Sequence, residues 1–169
     1  DDTIYPVKID HAAIALDPLP PYDSKKPTTA YRPAKDDLYV VTAAPFDAAA
    51  DGVTDDTASF SSALAAAEAN GGGLVFVPAG DYRLDGTLTV PTGVELRGVF
   101  DIPHGTATKG SLLNIYSGHD ESNGVPFVQL EEDSGMKGLT FHYPEQIYDG
   151  SDTNENGTLG FVPYPFMVR

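Results

Sequence analysis

The chain of 169 residues carries 25 acidic side chains against 10 basic ones, a formal net charge of −15, and 41% apolar residues. That is enough apolar material for the core of one domain, and the acidic balance argues against nucleic acid and anionic membranes as partners. Cysteine is absent, so neither disulfides nor thiolate metal sites hold the fold, and no apolar run reaches transmembrane length.

Residues 1–37 differ in kind from the rest of the chain. Pro6, Pro18, Pro20, Pro21, Pro27 and Pro33 break any long helix, while Tyr5, Tyr22 and Tyr31 punctuate polar stretches. The segment reads as an extended Pro-rich N-terminal arm whose tyrosines are docking contacts. It opens on Asp1-Asp2 with no signal-peptide pattern.

From residue 38 onward the pattern becomes regular. Gly52-Val53-Thr54-Asp55-Asp56-Thr57 reads as a turn plus a helix N-cap. Asp55 or Asp56 can accept backbone N–H groups that have no partner inside the helix, and its charge suits the helix dipole. A metal site built from Asp51, Asp55 and Asp56 is the less favoured alternative. Thr57 to Asn70 is rich in alanine, and Phe60, Ala63, Leu64 and Ala67 fall on one stripe at helical spacing. Gly71-Gly72-Gly73 stops that helix. Short β-rich runs come next at 74–77, 82–84, 88–90 and 94–98, each closed by Gly, Pro or Asp, and then at 112–116, 127–130 and 136–143. No helix-length crossover separates them, which argues against a doubly wound sheet. Sandwich, barrel and solenoid stay open on pattern alone.

These motifs, together with Val77-Pro78-Ala79-Gly80-Asp81-Tyr82 and Val94-Glu95-Leu96-Arg97-Gly98, resemble the entry segment of the pectate-lyase-like superfamily of right-handed parallel β-helices. The clear likeness covers residues 38–98, and a softer one covers Gly138 to Gln146, similar to a coil of the glycoside-hydrolase-like members. The resemblance implies an all-β solenoid with an N-terminal α-helical cap, the first coils occupying residues 38–169. It implies a secreted carbohydrate-active protein, while the entry segment itself stands under many chemistries.

Three clusters are candidates for function. In His142-Tyr143-Pro144-Glu145-Gln146, Tyr143 and Glu145 are the candidate substrate-binding pair, by stacking and hydrogen bonding. Alternation favours a structural role, with Leu139, Phe141 and Tyr143 on one face and Thr140 and His142 on the other. In the loop at 149–157, Asp152, Asn154, Asn156 and Gly157 match the oxygen-ligand spacing of calcium loops. The twelfth position of that loop is Pro163 rather than the bidentate glutamate, so calcium is a candidate ligand on partial grounds. The third cluster is His119, Asp120 and Glu121, with Glu131, Glu132 and Asp133 further on. Many carboxylates here could form the acid pair of a glycosidase, so their presence singles none out, and Asp120 and Glu121 read as an exposed turn and His104 as a loop residue. Nucleotide-binding glycine loops and nucleophilic serine or cysteine arrangements are absent from the sequence.

The chain closes on the apolar stretch Leu159 to Val168 and then Arg169. A solenoid stopping there exposes its last coil, so the expectation is that the remainder of the same protein, or a second subunit, covers it. The functional expectation is a glycoside hydrolase cleaving a neutral glucan by carboxylate acid–base catalysis, its catalytic acids on later coils. The acidic balance weighs modestly against polyanionic pectin or alginate, unless calcium or a local basic groove intervenes, and hence against the alternative, a polysaccharide lyase on a uronate polymer. A non-catalytic polysaccharide-binding, adhesin or tailspike-like solenoid is the third reading.

Overall fold

Short runs that alternate apolar and polar residues between glycines and prolines form parallel strands in the computed structural model of the chain, which describes residues 37–101, 110–146 and 162–169. In order these are β1 (Leu38–Val40), β2 (Asp51–Asp55), α1 (Thr57–Ala69), β3 (Gly73–Val77), β4 (Gly80–Leu84), β5 (Leu88–Val90), β6 (Val94–Gly98), β7 (Ser111–Ile115), β8 (Val128–Leu130), β9 (Gly135–Lys137) and β10 (Leu139–His142). They sort into three sheets with orders β1-β3-β6-β9, β2-β4-β7-β10 and β5-β8. All the strand pairings are parallel. Each turn of chain therefore lays one strand in each sheet: β3-β4-β5, then β6-β7-β8, then β9-β10. This is a parallel β-helix, as the resemblance implies, and the architecture is mostly β with one short helix.

The next rung of the third sheet comes from the C-terminal segment. Val168 bridges Val128 in parallel, and the N–H groups of Phe127, Val128 and Leu130 donate to the carbonyls of Phe166, Met167 and Arg169. The apolar stretch at the end of the sequence thus continues the ladder, although Phe166 stays 82% exposed.

Alternation decides what the coil interior contains. Val75, Val77, Tyr82, Leu84, Leu88, Val90, Val94, Leu96, Leu113, Ile115, Phe127 and Val128 point inward and are buried, with Leu139, Phe141 and Tyr143 packed against them. In α1 the buried residues are Phe60, Ala63, Leu64 and Ala67. Phe60 meets Tyr82 edge-on at 5.2 Å. The Tyr82 hydroxyl donates to the Pro78 carbonyl at 2.9 Å, and burial, with Asp56 nearby, pushes the phenol up to about 12.

Two local readings change. Asp51–Asp55 is a bulged strand rather than only a turn: Asp51 pairs with Asp81 and Asp55 with Arg83, with a register shift between them. Gly52 at φ +73° makes that bulge. The three aspartates are spent on the backbone. Asp51 accepts from the Val53 and Thr54 N–H groups, Asp55 from Thr57, and buried Asp56, the helix N-cap by position, from Ala49 at 2.6 Å and Ala50 at 3.1 Å. The run at 136–143 also divides, because Gly138 at φ +71° turns the corner between β9 and β10.

The Pro-rich arm lies outside the described residues, apart from Asp37. That residue's carbonyl accepts the Leu74 N–H at 2.8 Å.

Candidate functional site

The second sheet presents its polar side chains outward in register. Arg83 stands beside Asn114, Asn114 beside His142, and Asp55 on the other side of Arg83. Strand alternation places them there, since Tyr82, Leu84, Leu113 and Ile115 face the core. Stacking of strands then brings them within about 4.8 Å per rung. His142 Nδ1 lies 2.9 Å from Asn114 Oδ1. Arg83 donates through Nε and an Nη to the two carboxylate oxygens of Asp85 at 2.8 and 3.1 Å, and its guanidinium lies 4.4 Å from the centre of the Tyr116 ring. The Asp85 contact holds the Arg83 pKa above its ordinary value.

Beyond this row the chain turns from the second sheet to the third. That corner spans residues 85–87 in the first coil and 116–127 in the second. Tyr143 and Tyr164 lie beside it in the third. His119 pairs with Asp120 at 3.0 Å and meets the Tyr164 ring edge-on at 5.8 Å. The Tyr143 and Tyr164 ring centres are 4.4 Å apart. Burial, and then the charges of Glu145, Tyr143 and Asp120, raise the Tyr164 phenol. Ser117 Oγ, Gln146 Oε1 and Tyr164 Oη are buried without a hydrogen-bond partner among the described residues, leaving three oxygens able to meet water or ligand hydroxyls.

The two candidate substrate-binding residues fall at this corner. Tyr143 is partly buried against the core and Tyr164, and Glu145 is exposed beside them. Asp152, Asn154 and Asn156 lie outside the described residues, as does His104. Asp120 and Glu121 sit on the exposed turn expected of them, and Glu131 accepts from the Thr92 N–H at 3.1 Å. A separate cleft of about 280 Å³ between α1 and the third sheet holds Glu68 and Glu131 but no cationic side chain. The row of Arg83, Asn114 and His142 escaped the sequence reading. Alternation places each residue outward, but nothing local says which outward residues become neighbours.

Residues 40–125 match the family described as rhamnogalacturonase A/epimerase, pectate lyase-like, and the chain belongs to that family. Within it, the chain is similar to mannuronan C5-epimerases of Azotobacter vinelandii. AlgE2 is 47% identical over 131 residues, covering 70% of this chain and 12% of that protein. AlgE4 is 34% identical over 134 residues, covering 70% of this chain and 22% of that protein. Alginate lyase 7 of the same organism is 28% identical over 131 residues, covering 70% and 14%. The solved A-module of AlgE4 overlays with a TM-score of 0.48 at 32% identity, over 72% of this chain and 30% of that one. The chain thus spans about an eighth to a fifth of the length of these curated relatives.

These relatives overturn the expectation of a glycoside hydrolase on a neutral glucan. They are named for epimerising or eliminating uronate polymers, so the terms hydrolase and glycosidase fall with it. The argument from net charge failed for a physical reason. A sum over the whole surface does not describe the potential at one strand face.

Proposed function

We propose that the protein modifies an alginate-type polyuronate, inverting C5 of its uronate residues. The observation that carries this reading is the 47% identity to a mannuronan C5-epimerase over 70% of the chain. Epimerisation begins with removal of the C5 proton, whose acidity depends on neutralising the neighbouring carboxylate. Return of a proton from the opposite face completes inversion. Expulsion of the oxygen at C4 instead gives a lyase, the second reading, supported by the similarity to alginate lyase 7. The outward face of the second sheet supplies a cation, an amide and an imidazole in one row, and the corner beyond it supplies two hydroxyls without a partner among the described residues.

In the same reading the coils are right-handed and α1 caps their N-terminal end, supported by the burial of Phe60, Ala63, Leu64 and Ala67. Among the described residues β9 and β10 each have a partner strand on one side only, an edge that a further coil or a second subunit would cover. The protein works outside the cell on its polysaccharide, with Tyr143 and Glu145 contributing at the corner. Calcium binding rests on the spacing of Asp152, Asn154 and Asn156. Among the described residues no three of His, Asp or Glu group to hold a metal ion, so no step is drawn through one.

The test is to incubate the full-length protein with polymannuronate in heavy water and follow it by NMR. Guluronate signals carrying deuterium at C5, with chain length unchanged, are the expected result. Ultraviolet absorbance from unsaturated chain ends selects the lyase. Unaltered polymer overturns both.

A further inference from the structure

We propose that Arg83 is a carboxylate-receiving subsite for a uronate residue, with Asp85 the internal carboxylate that holds it ready. This inference rests on the polyuronate reading above. A polyanion approaching an acidic protein needs a local cation, and the Lys and Arg side chains among the described residues are Arg83, Arg97, Lys137 and Arg169. Arg97 and Lys137 both pair with Glu95, a buried carboxylate that has no other source of compensation shown. Withdrawing either weakens the compensation of that buried carboxylate, so both are tied to it.

Arg83 is placed differently. Its counterion Asp85 has a side chain 39% exposed, so water can take over that carboxylate at little cost when it swings away. Both hydrogen bonds from Arg83 to Asp85 adopt the parallel fork that guanidinium makes with any carboxylate, a uronate included. Tyr116 supports the guanidinium from one face, which fixes its plane without consuming its N–H donors. Asp55 stands beside Arg83 in register and adds to its charge balance without a hydrogen bond to it. Its carboxylate is committed to the Thr57 N–H and hydroxyl and to the Asp85 N–H. Asn114 one rung away and His142 two rungs away offer polar partners for the hydroxyls of the same or the adjoining sugar.

The arrangement makes opposite demands on two neighbours, and that gives the test. In the full-length protein, equilibrium binding of oligomannuronate is measured for wild type, Arg83→Ala, Arg83→Lys, Asp85→Asn and Asp81→Asn. Arg83→Ala is expected to weaken binding roughly tenfold or more, with Arg83→Lys between it and wild type because the charge stays and the fork is lost. Asp85→Asn, which frees the guanidinium, is expected to tighten binding by about threefold or more, a gain that misfolding cannot produce. Asp81→Asn removes an exposed charge from the same strand without touching Arg83, and is expected to gain less than Asp85→Asn. Equal gains at both positions mean general electrostatics and overturn the proposal, as does Arg83→Ala binding like wild type. A wild type that epimerises polymannuronate while Arg83→Ala binds normally overturns the subsite and leaves the function standing. A wild type that neither binds nor modifies the polymer overturns both.

Discussion

Asp56 and Glu95 are both buried carboxylates, yet they titrate in opposite directions. Burial raises the Asp56 pKa above 3.8, and the two backbone N–H groups from Ala49 and Ala50 do not offset it. Its contribution is therefore full below the unfolded pKa and is lost as pH rises through the folded value. Asp56→Asn should gain stability relative to wild type as pH rises across that window, read from urea midpoints. Asp56→Ala, which leaves both N–H groups unpaired, should cost about 2 kcal/mol. Burial pushes Glu95 up as well, but hydrogen bonding and charge from Arg97 and then Lys137 win, and its pKa falls below 4.5. Its contribution is present above the unfolded pKa and disappears as pH falls through the folded one. Glu95→Gln should lose about 1–3 kcal/mol at neutral pH, with the difference from wild type closing in acid.

At the scale of elements, the corners impose the tightest constraint. Gly98 and Gly138 stack at the same corner in successive coils, where a Cβ on Gly138 would lie 2.4 Å from the Gly98 carbonyl oxygen. With φ at +71° as well, Gly138→Ala should destabilise by about 2–3 kcal/mol, measured by chemical denaturation. The α1 contact is the other test of packing. Truncation of Phe60, which has no exposed surface and meets Tyr82 edge-on, should cost about 3–5 kcal/mol. The glycine that splits β9 from β10 was hidden because Met136 to Tyr143 is one β-rich run in sequence, and only a positive φ separates its two directions. The strand at 51–55 was hidden because aspartates that satisfy turn N–H groups look the same whether or not the backbone also pairs.

Across the whole molecule, stability is distributed along the stack. Each coil is held by the coils beside it, so protection should track the number of neighbours a strand has. Hydrogen exchange read by mass spectrometry should be slowest in β3, β4, β6 and β7, which have a partner strand on both sides, and faster in β1 and β10 at the sheet edges. Exchange that is uniform across these strands would show a single cooperative unit instead. The same one-dimensional build explains why chemistry is legible only in rows. Residues that share an outward row come from different coils.

The sequence by itself determined strands β3 to β8, the α1 stripe and the glycine stops, because side-chain alternation, helical spacing and backbone freedom act over a few residues. It also carried enough of the family pattern to imply a β-helix. It did not determine the chemistry, since net charge averages over a surface while a ligand meets one face. Only the tertiary structure set Asn114 beside His142, 28 positions apart, and Arg83 beside Asn114. Register between parallel strands is chosen by how successive coils bury their inward rows, and no local feature of the chain records that choice.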